Sequence, residues 1–194
     1  MHLRTQPTTC LALLCTVLLS ACDRGPTAAV AAGGSVDSTA SPAPFVLTSP
    51  AVAEGGALPA DYTCDGSSAT LPLAWSGAPA GTEGYAVVMH HVASPTDVHW
   101  YWVLYDIPAT VTTLARNVAG VGTLGTNSVN DRTGYSPPCS QGPGDKSYTY
   151  TVYAVSGPVH LTVPSSQVTR AVLLAAISQT TLDSAALHVT YARP

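Results

Sequence analysis

The segment Met89–Tyr105, MHHVASPTDVHWYWVLY, carries the side chains of this sequence that are best suited to chemistry. It holds three of the six histidines and two of the three tryptophans. On a strand, residues two apart share a face, so this segment predicts a pocket face and a core face. The predicted pocket face holds His99, Tyr101, Val103 and Tyr105. The predicted core face holds Val98, Trp100, Trp102 and Leu104. The same rule places His91 with Met89 and turns His90 away from them.

Transition-metal binding is one chemistry that these histidines could support. A site would be built from His91 and His99, with His90 as a third candidate. Adjacent histidines on a strand cannot both reach one metal, and no carboxylate stands at a clear ligand spacing. Metal binding in the periplasm is therefore a lesser alternative, and neither a metal ligand nor a cofactor is predicted. For His90, His160 and His188, a surface or hydrogen-bonded structural position is favoured.

Several other classes of function are disfavoured by what the sequence lacks. It has no Gly-x-Ser-x-Gly, His-Glu-x-x-His or Ser-x-x-Lys motif and no obvious pair of catalytic carboxylates, so no enzymatic activity is predicted. The formal net charge is -4, only 9% of residues are charged, and no basic stripe indicates a nucleic-acid partner. What remains is a small anion pocket, in which imidazole, phenol and ammonium groups donate hydrogen bonds over aromatic walls.

The first residues predict export and anchoring. MHLRTQPTTCLALLCTVLLSAC has a short polar start and an apolar run that is too short for a comfortable membrane span, which is typical of a secretory signal. Leu19–Cys22 resembles the lipobox of bacterial lipoproteins. Residues 1–21 are therefore predicted to be a lipoprotein signal peptide and Cys22 to be lipidated, with an ordinary cleaved signal as the alternative. The lipid would hold the protein to a membrane of the bacterial cell envelope, with its domain in the periplasm or otherwise outside the cytoplasmic membrane.

The rest of the chain divides into a linker and one domain. Residues 22–44 are dominated by Ala, Gly, Ser and Pro and are predicted to be a flexible tether. Residues 45–194 are enough for one domain with a sizeable core. In an oxidising compartment Cys64 and Cys139 favour a disulfide, while two free thiols or two metal ligands stay open. A closed loop of about 75 residues would contribute roughly 4 to 5 kcal/mol in the chain-entropy model.

The pattern of the domain predicts an all-β sandwich with one late α-helix. Short runs rich in Val, Thr, Tyr and Trp are separated by Gly and Pro turns; they cover 45–48, 71–75, 85–92, 98–107, 148–155 and 186–192. Residues 164–177 instead have a serine cap and apolar residues at helical spacing, which predicts a helix of three turns. Residues 117–144 show no periodicity, and long loops in compact domains are often functional. Because Cys139 would pin this loop, we expect it to form half of a binding site.

Six segments stand in an order and spacing that can be compared with known families. They are Tyr62–Gly66, Leu71–Thr82, Trp102–Ala109, Asn127–Ser128, Gly134–Cys139 and Tyr148–Ala154. Together they resemble the phosphatidylethanolamine-binding protein family, and most of all its bacterial Raf kinase inhibitor-like branch. The resemblance implies a β-sandwich with a small pocket for phosphate, phosphorylated head groups or other small anions. It also implies a binder or inhibitor rather than an enzyme.

The pocket implied by this resemblance is altered in its chemistry. His91 stands where the family has the first aspartate of Asp-Pro-Asp-Ala-Pro, Tyr101 where it has a histidine, and Lys146-Ser147-Tyr148 where it has His-Arg-Tyr. The predicted ligand-binding residues are His91, His99, Tyr101, Pro137, Pro138, Lys146 and Tyr148. A carboxylate has been lost and an ammonium gained, so we predict a retained anion pocket with a changed choice of ligand.

Three alternatives to this pocket stay open. The domain could have a degenerate pocket and act as an interaction or inhibitor module with a protein partner. Metal binding or an unrecognised catalytic activity is the second alternative. Lys146 could also be a solvated loop lysine in a surface ion pair with Asp145.

Overall fold

The computed structural model describes residues 43–139 and 141–193. The predicted signal peptide, the predicted lipidation site Cys22 and nearly all of the predicted tether lie outside the described residues. Within the described part of the chain, no helix is both long and apolar enough to cross a membrane.

Two antiparallel sheets form the domain, and they confirm the predicted all-β sandwich. The smaller sheet has the order β1-β2-β5, with β1 at Val46–Thr48, β2 at Leu73–Ser76 and β5 at Thr113–Leu114. The larger sheet has the order β6-β4-β3-β7-β8. Its strands are β6 (Thr123–Leu124), β4 (Asp97–Pro108), β3 (Gly84–Ser94), β7 (Lys146–Val155) and β8 (Thr181–Tyr191). The two-residue strands β5 and β6 have no counterpart among the predicted strands.

The larger sheet is buried on both of its faces. Its inner face packs against the smaller sheet in one cluster, which includes Leu73, Trp75, Met89 and Trp102. Its outer face packs under α1 in a second cluster, which includes Val88, Val103, Leu173 and Ile177. A strand that is buried on both sides has apolar residues at consecutive positions. This explains why the central parts of β3 and β4 show no simple alternation of apolar and polar residues.

The late helix is present but shorter than predicted. A 3-10 turn covers Ser165–Gln167, and the α-helix α1 covers only Arg170–Ile177. Its N-cap is Thr169 rather than a serine, because the Thr169 hydroxyl accepts a hydrogen bond from the backbone N–H of Val172 at 3.2 Å. The apolar positions of the prediction still mark the buried side, since Val168, Leu173 and Ile177 are at most 1% exposed.

Three β-bulges interrupt the pairing of β3 with β4. On β4, Trp100 pairs with His90 but Trp102 pairs with Met89, so Tyr101 is an extra residue. On β3, Val92 pairs with Val98 and Ser94 with Asp97, which leaves Ala93 extra. The third irregularity falls near Asp106, which has a φ of 55°. A bulge reverses the side on which the following residues lie, and bulges often occur beside functional sites.

The bulge at Tyr101 makes the predicted division of β4 into two faces wrong. Trp102 and Leu104 lie in the inner cluster, as expected for core residues. Trp100, however, packs on the outer cluster, together with Val103 and Tyr105. The simple alternation failed because it assumed an unbroken pleat across Tyr101.

Candidate functional site

A cavity of about 420 Å³ opens where β3, β4 and β7 meet the long loop after β6. It is lined by His91, Ala93, His99, Tyr101, Ser128, Val129, Pro137, Cys139, Gln141, Lys146 and Tyr148. The structure thus brings together six of the seven predicted ligand-binding residues. The seventh, Pro138, is not among the lining residues. It is buried, and its carbonyl accepts a hydrogen bond from the backbone N–H of Cys64 at 3.0 Å.

The two cavity histidines come from facing positions of one hairpin. His91 on β3 pairs directly with His99 on β4, and directly opposed side chains on antiparallel strands are close neighbours. The bulged residues Ala93 and Tyr101 flank this pair and also line the cavity. The bulges therefore aim side chains into the cavity that a regular hairpin would distribute over two faces.

His91 is held by the neighbouring strand β7. Its Nδ1 lies 2.7 Å from the carbonyl oxygen of Ser147. A carbonyl can only accept, so Nδ1 carries the hydrogen in this bond. The ring also contacts Tyr148, with centroids 5.4 Å apart and planes inclined by 40°. One strand thus fixes both the position of the imidazole and the role of one ring nitrogen.

Two tyrosines form the floor of the cavity. Tyr101 and Tyr148 are buried, and their rings meet edge to face with centroids 5.4 Å apart. Burial raises the pKa of the Tyr101 phenol, and a hydrogen bond with Tyr148 offsets part of that rise. Both the burial and the direction of the shift keep Tyr101 a neutral phenol, so it can donate a hydrogen bond to an anion without carrying charge.

Lys146 brings a positive charge to the cavity. It is the first residue of β7, where it pairs with Tyr191 of β8, and it is only partly exposed. Among the described residues, no carboxylate lies within 4.0 Å of its ammonium group. The alternative of a loop lysine paired with Asp145 is therefore wrong for this structure.

His99 occupies the outer part of the site. Its Nε2 lies 3.1 Å from Oδ1 of Asp97, and the two side chains are 45% and 58% exposed. Asp97 itself is not a lining residue of the cavity. Exposed pairs of this kind contribute little energy and rearrange easily, so His99 is held less firmly than His91.

The long loop predicted to be half of a site forms one wall of the cavity. Backbone bonds attach it to β4, and two of them lie at the cavity: Ser128 N–H donates to Trp100 O at 2.9 Å, and Ser136 N–H donates to Tyr101 O at 2.8 Å. The second bond uses the carbonyl of the bulged residue. Just before Ser128, the buried Asn127 donates from Nδ2 to Arg132 O at 2.9 Å, which folds the loop back on itself.

A disulfide joins the far end of this loop to the segment before β2. Cys64 and Cys139 are bonded, with their Cα atoms 5.2 Å apart, as the sequence led us to expect. Cys139 itself lines the cavity. The alternatives of two free thiols and two metal ligands are therefore wrong for this structure.

Sequence reasoning missed several lining residues. Ser128 lay within a segment of the family resemblance but was not assigned to the site, and Val129 and Gln141 gave no signal in a loop without periodicity. Ala93 enters through a bulge, which no local pattern reveals. These residues add one hydroxyl, one amide and two apolar side chains to the predicted set.

Metal ligation is not supported by side-chain geometry in the described part of the chain. There, no three His, Cys, Asp or Glu side chains are grouped so that they could hold a metal ion. His90 pairs with Trp100 and Thr149 and belongs to the opposite face of the sheet from His91. Burial first, and then the nearby charge of Arg170, lower its pKa to about 4.

Comparisons with known proteins agree with this fold. The model of the family described as phosphatidylethanolamine-binding protein matches residues 48–192. A UPF0098 protein of Methanothermobacter thermautotrophicus is 35% identical over 105 residues, which are 52% of this chain and 69% of that protein. LppC of Mycobacterium tuberculosis, a candidate lipoprotein by its name, is 29% identical over 122 residues, or 62% of this chain and 59% of that protein.

Two solved structures resemble the domain. The first is a homologue of phosphatidylethanolamine-binding protein from Chlamydia trachomatis, with a TM-score of 0.69 and 25% identity over 77% of this chain and 98% of that one. The second is YbcL of E. coli, described as a member of the mammalian family, with a TM-score of 0.70 and 24% identity over 78% of this chain and 100% of that one. The second likeness concerns the fold alone.

Proposed function

Because the chain belongs to the phosphatidylethanolamine-binding protein family, we propose that it is a non-enzymatic binding protein whose cavity holds phosphate, phosphorylated head groups or other small anions. The family supports a binding role on this fold. The choice of an anion depends on this chain's own residues, because a fold alone does not determine a ligand.

The observation that carries the proposal is the set of donors around one concave site. Lys146 supplies a full positive charge, and Tyr101 and Tyr148 supply hydroxyl groups. The Ser128 hydroxyl instead donates to Trp100 O at 3.1 Å. Among the described residues, no Asp or Glu side chain lines the cavity. An anion there would meet several donors and no lining carboxylate, whereas the amine of an ethanolamine head group would lack a carboxylate partner.

We also infer that the protein is held at a membrane of the cell envelope by a lipid on Cys22. The lipobox-like ending of the predicted signal peptide supports this inference, and so does the similarity to LppC, a candidate lipoprotein by its name. The proposed tether at residues 22–44 would then separate the domain from the membrane surface.

Native mass spectrometry tests the anion pocket. The full chain is exported to an oxidising compartment, purified in mild detergent without phosphate or added metal, and titrated with phosphate and with phosphoethanolamine. We expect one anion per chain, and Lys146→Gln should weaken its binding roughly 10- to 100-fold, because a hydrogen bond to a charged group is lost.

Arg116→Gln is the matched control for this experiment. It removes the same charge from an exposed side chain that pairs with Asp61 at 3.3 Å and does not line the cavity. Equal weakening in both variants would point to general electrostatics instead of a pocket. Uptake of neither anion by the wild-type chain would contradict the proposal and favour a protein-binding role, and a retained transition metal would favour the histidine metal site.

A further inference from the structure

The hydrogen bond of His91 determines what its other ring nitrogen can do. Nδ1 donates to the carbonyl of Ser147 at 2.7 Å. In a neutral imidazole one nitrogen donates and the other accepts. As long as the ring is neutral, Nε2 of His91 is therefore an acceptor, and it belongs to a side chain that lines the cavity.

An acceptor is an unusual partner for an anion. A fully deprotonated oxygen cannot donate to Nε2, so two lone pairs would face each other without a hydrogen between them. An anion that keeps a hydroxyl group can donate to Nε2 while its other oxygens accept from Lys146 and the hydroxyl groups. Two acceptors that face each other repel, and each loses the hydrogen bond that it could make to water.

We propose that His91 is a specificity-determining residue that selects anions carrying their own hydrogen, such as hydrogen phosphate, over fully deprotonated oxyanions such as sulfate. The inference rests on the proposed anion pocket. One hydrogen must lie between Nε2 and the ligand oxygen. A hydrogen phosphate brings that hydrogen, whereas sulfate binds only when the imidazole takes a proton from solvent.

The other charged and titratable groups around His91 cannot make this distinction. Lys146 attracts any anion, and the hydroxyl groups of Tyr101 and Tyr148 can act as donors towards any oxygen. Across the hairpin, the ring of His99 pairs with the exposed side chain of Asp97, which constrains it less than a backbone carbonyl constrains His91. His90, on the same strand, belongs to the outer face of the sheet. His91 is the cavity histidine whose ring nitrogen is tied to a backbone carbonyl.

Calorimetric titration of the full chain with inorganic phosphate and with sulfate tests this inference between about pH 5.5 and about pH 8.5, the range in which imidazoles usually titrate. In the upper part of this range both anions carry two charges, but only phosphate keeps a hydroxyl group. We expect sulfate affinity to fall by up to about tenfold per pH unit, with uptake of about one proton. The affinity for phosphate should fall less as the pH rises, so that near pH 8 phosphate binds more than roughly tenfold more tightly than sulfate.

Two variants locate the effect. His91→Gln should reduce the preference for phosphate to less than about threefold at every pH, because the glutamine amide can donate as well as accept. His99→Gln is the matched control and should keep the preference. In the wild-type protein, 15N chemical shifts of His91 should show hydrogen on Nδ1 before any anion is added, a measurement that does not depend on a variant folding correctly.

The outcomes separate this inference from the proposed function. Equal affinity for sulfate and phosphate at every pH would overturn the role of His91 and leave the anion pocket intact. A preference that survives in His91→Gln, or hydrogen found on Nε2 in the anion-free neutral ring, would overturn it as well. Failure of the wild-type chain to take up either anion at any pH would instead contradict the proposed function, and the inference would fall with it.

Discussion

His90 and His91 are consecutive residues of one strand, yet the two faces of the sheet give them opposite environments. On the outer face His90 lies under the α1 side of the domain, near the charge of Arg170, and burial lowers its pKa to about 4. On the inner face His91 lines a cavity and is held by a backbone carbonyl. Residue type alone therefore says little about function here, because the environment on each face decides what the imidazole can do.

The two faces are also closed in different ways. The outer face is covered by a short helix that buries two large apolar side chains, with Leu173 at 0% and Ile177 at 1% exposed. The cavity end of the inner face is covered by a loop, held by backbone hydrogen bonds and by the Cys64–Cys139 disulfide. Packing closes the first face, whereas on the second a loop held by hydrogen bonds and a disulfide forms the wall of a cavity.

Among the changes that test this comparison of the two faces, removing the disulfide is expected to have the largest effect on the free energy of unfolding. The chain-entropy model predicts that Cys64→Ser combined with Cys139→Ser lowers the free energy of unfolding by about 4 kcal/mol, for a sequence separation of 75 residues. Anion affinity should fall too, because the cavity wall is no longer pinned. Urea unfolding and titration with phosphate measure both effects. Identical unfolding midpoints for the variant and the oxidised wild-type protein would show that the loop is held by its hydrogen bonds alone.

Truncating a buried residue of α1 should lower stability through the outer face of the sheet and leave the cavity on the inner face unchanged. Leu173→Ala is expected to lower the free energy of unfolding by about 3 kcal/mol, because it leaves a cavity under α1. Anion affinity, measured below the unfolding transition, should change less than about twofold, since sites without shared contacts behave independently. Leu182→Ala, at a side chain that is 42% exposed, is the control and should cost less than about 1 kcal/mol. A large loss of anion affinity in Leu173→Ala would show that the two faces are coupled.

Acid should destabilise the domain through His90. Its pKa is lower in the folded protein, so the unfolded chain binds more protons, and stability present above about pH 6.5 is lost as the pH falls towards about 4. A fall from 6.5 to about 4 corresponds to about 3 kcal/mol at full strength, which solvent screening of this half-buried ring reduces to about 1–2 kcal/mol. His90→Leu should flatten the dependence of unfolding free energy on pH in urea titrations. An unchanged slope would mean that the imidazole is not desolvated.

The smallest effect is expected at the rim of the cavity. Asp97→Asn removes a negative charge beside His99, and anion affinity should rise by no more than about threefold, because exposed charges interact weakly. The gain should disappear in high salt. Asp61→Asn is the control, since that carboxylate pairs with Arg116 away from the cavity lining. A fall in affinity would mean instead that Asp97 positions His99 for binding.

Much of this architecture could be predicted from the sequence, for identifiable reasons. The long strands could be located because Val, Thr, Tyr and Trp are concentrated between turn residues, and the family resemblance indicated the residues now found around the cavity. β5 and β6 could not be predicted, since two paired residues leave no periodicity. The start of α1 was placed too early because Ser165 and Ser166 look like caps, whereas the chain first makes a 3-10 turn and Thr169 is the cap.

The cavity lining depended on features that are not local. Ala93 and Tyr101 line the cavity because each is an extra residue in a bulge. Whether a bulge forms depends on the pairing of two strands and on the loop that bonds to the Tyr101 carbonyl, and no window of sequence contains that information. The pattern of β4 therefore predicted a strand with core residues correctly, but it could not show that the two faces change over at Tyr101.

The bulge at Tyr101 also bears on how relatives of this domain can diverge. On the side of Tyr101 nearer the turn, the hairpin tip carries His91, Ala93 and His99. On the other side of Tyr101, the same two strands build the core. Deleting one residue at the bulge would turn the whole tip over and direct the cavity histidines towards α1. Single-residue insertions and deletions should therefore be rare at this point during evolution, while substitutions at the tip can change the ligand without disturbing the core. The hairpin tip is thus the part of the domain in which new binding preferences can arise at the least cost in stability.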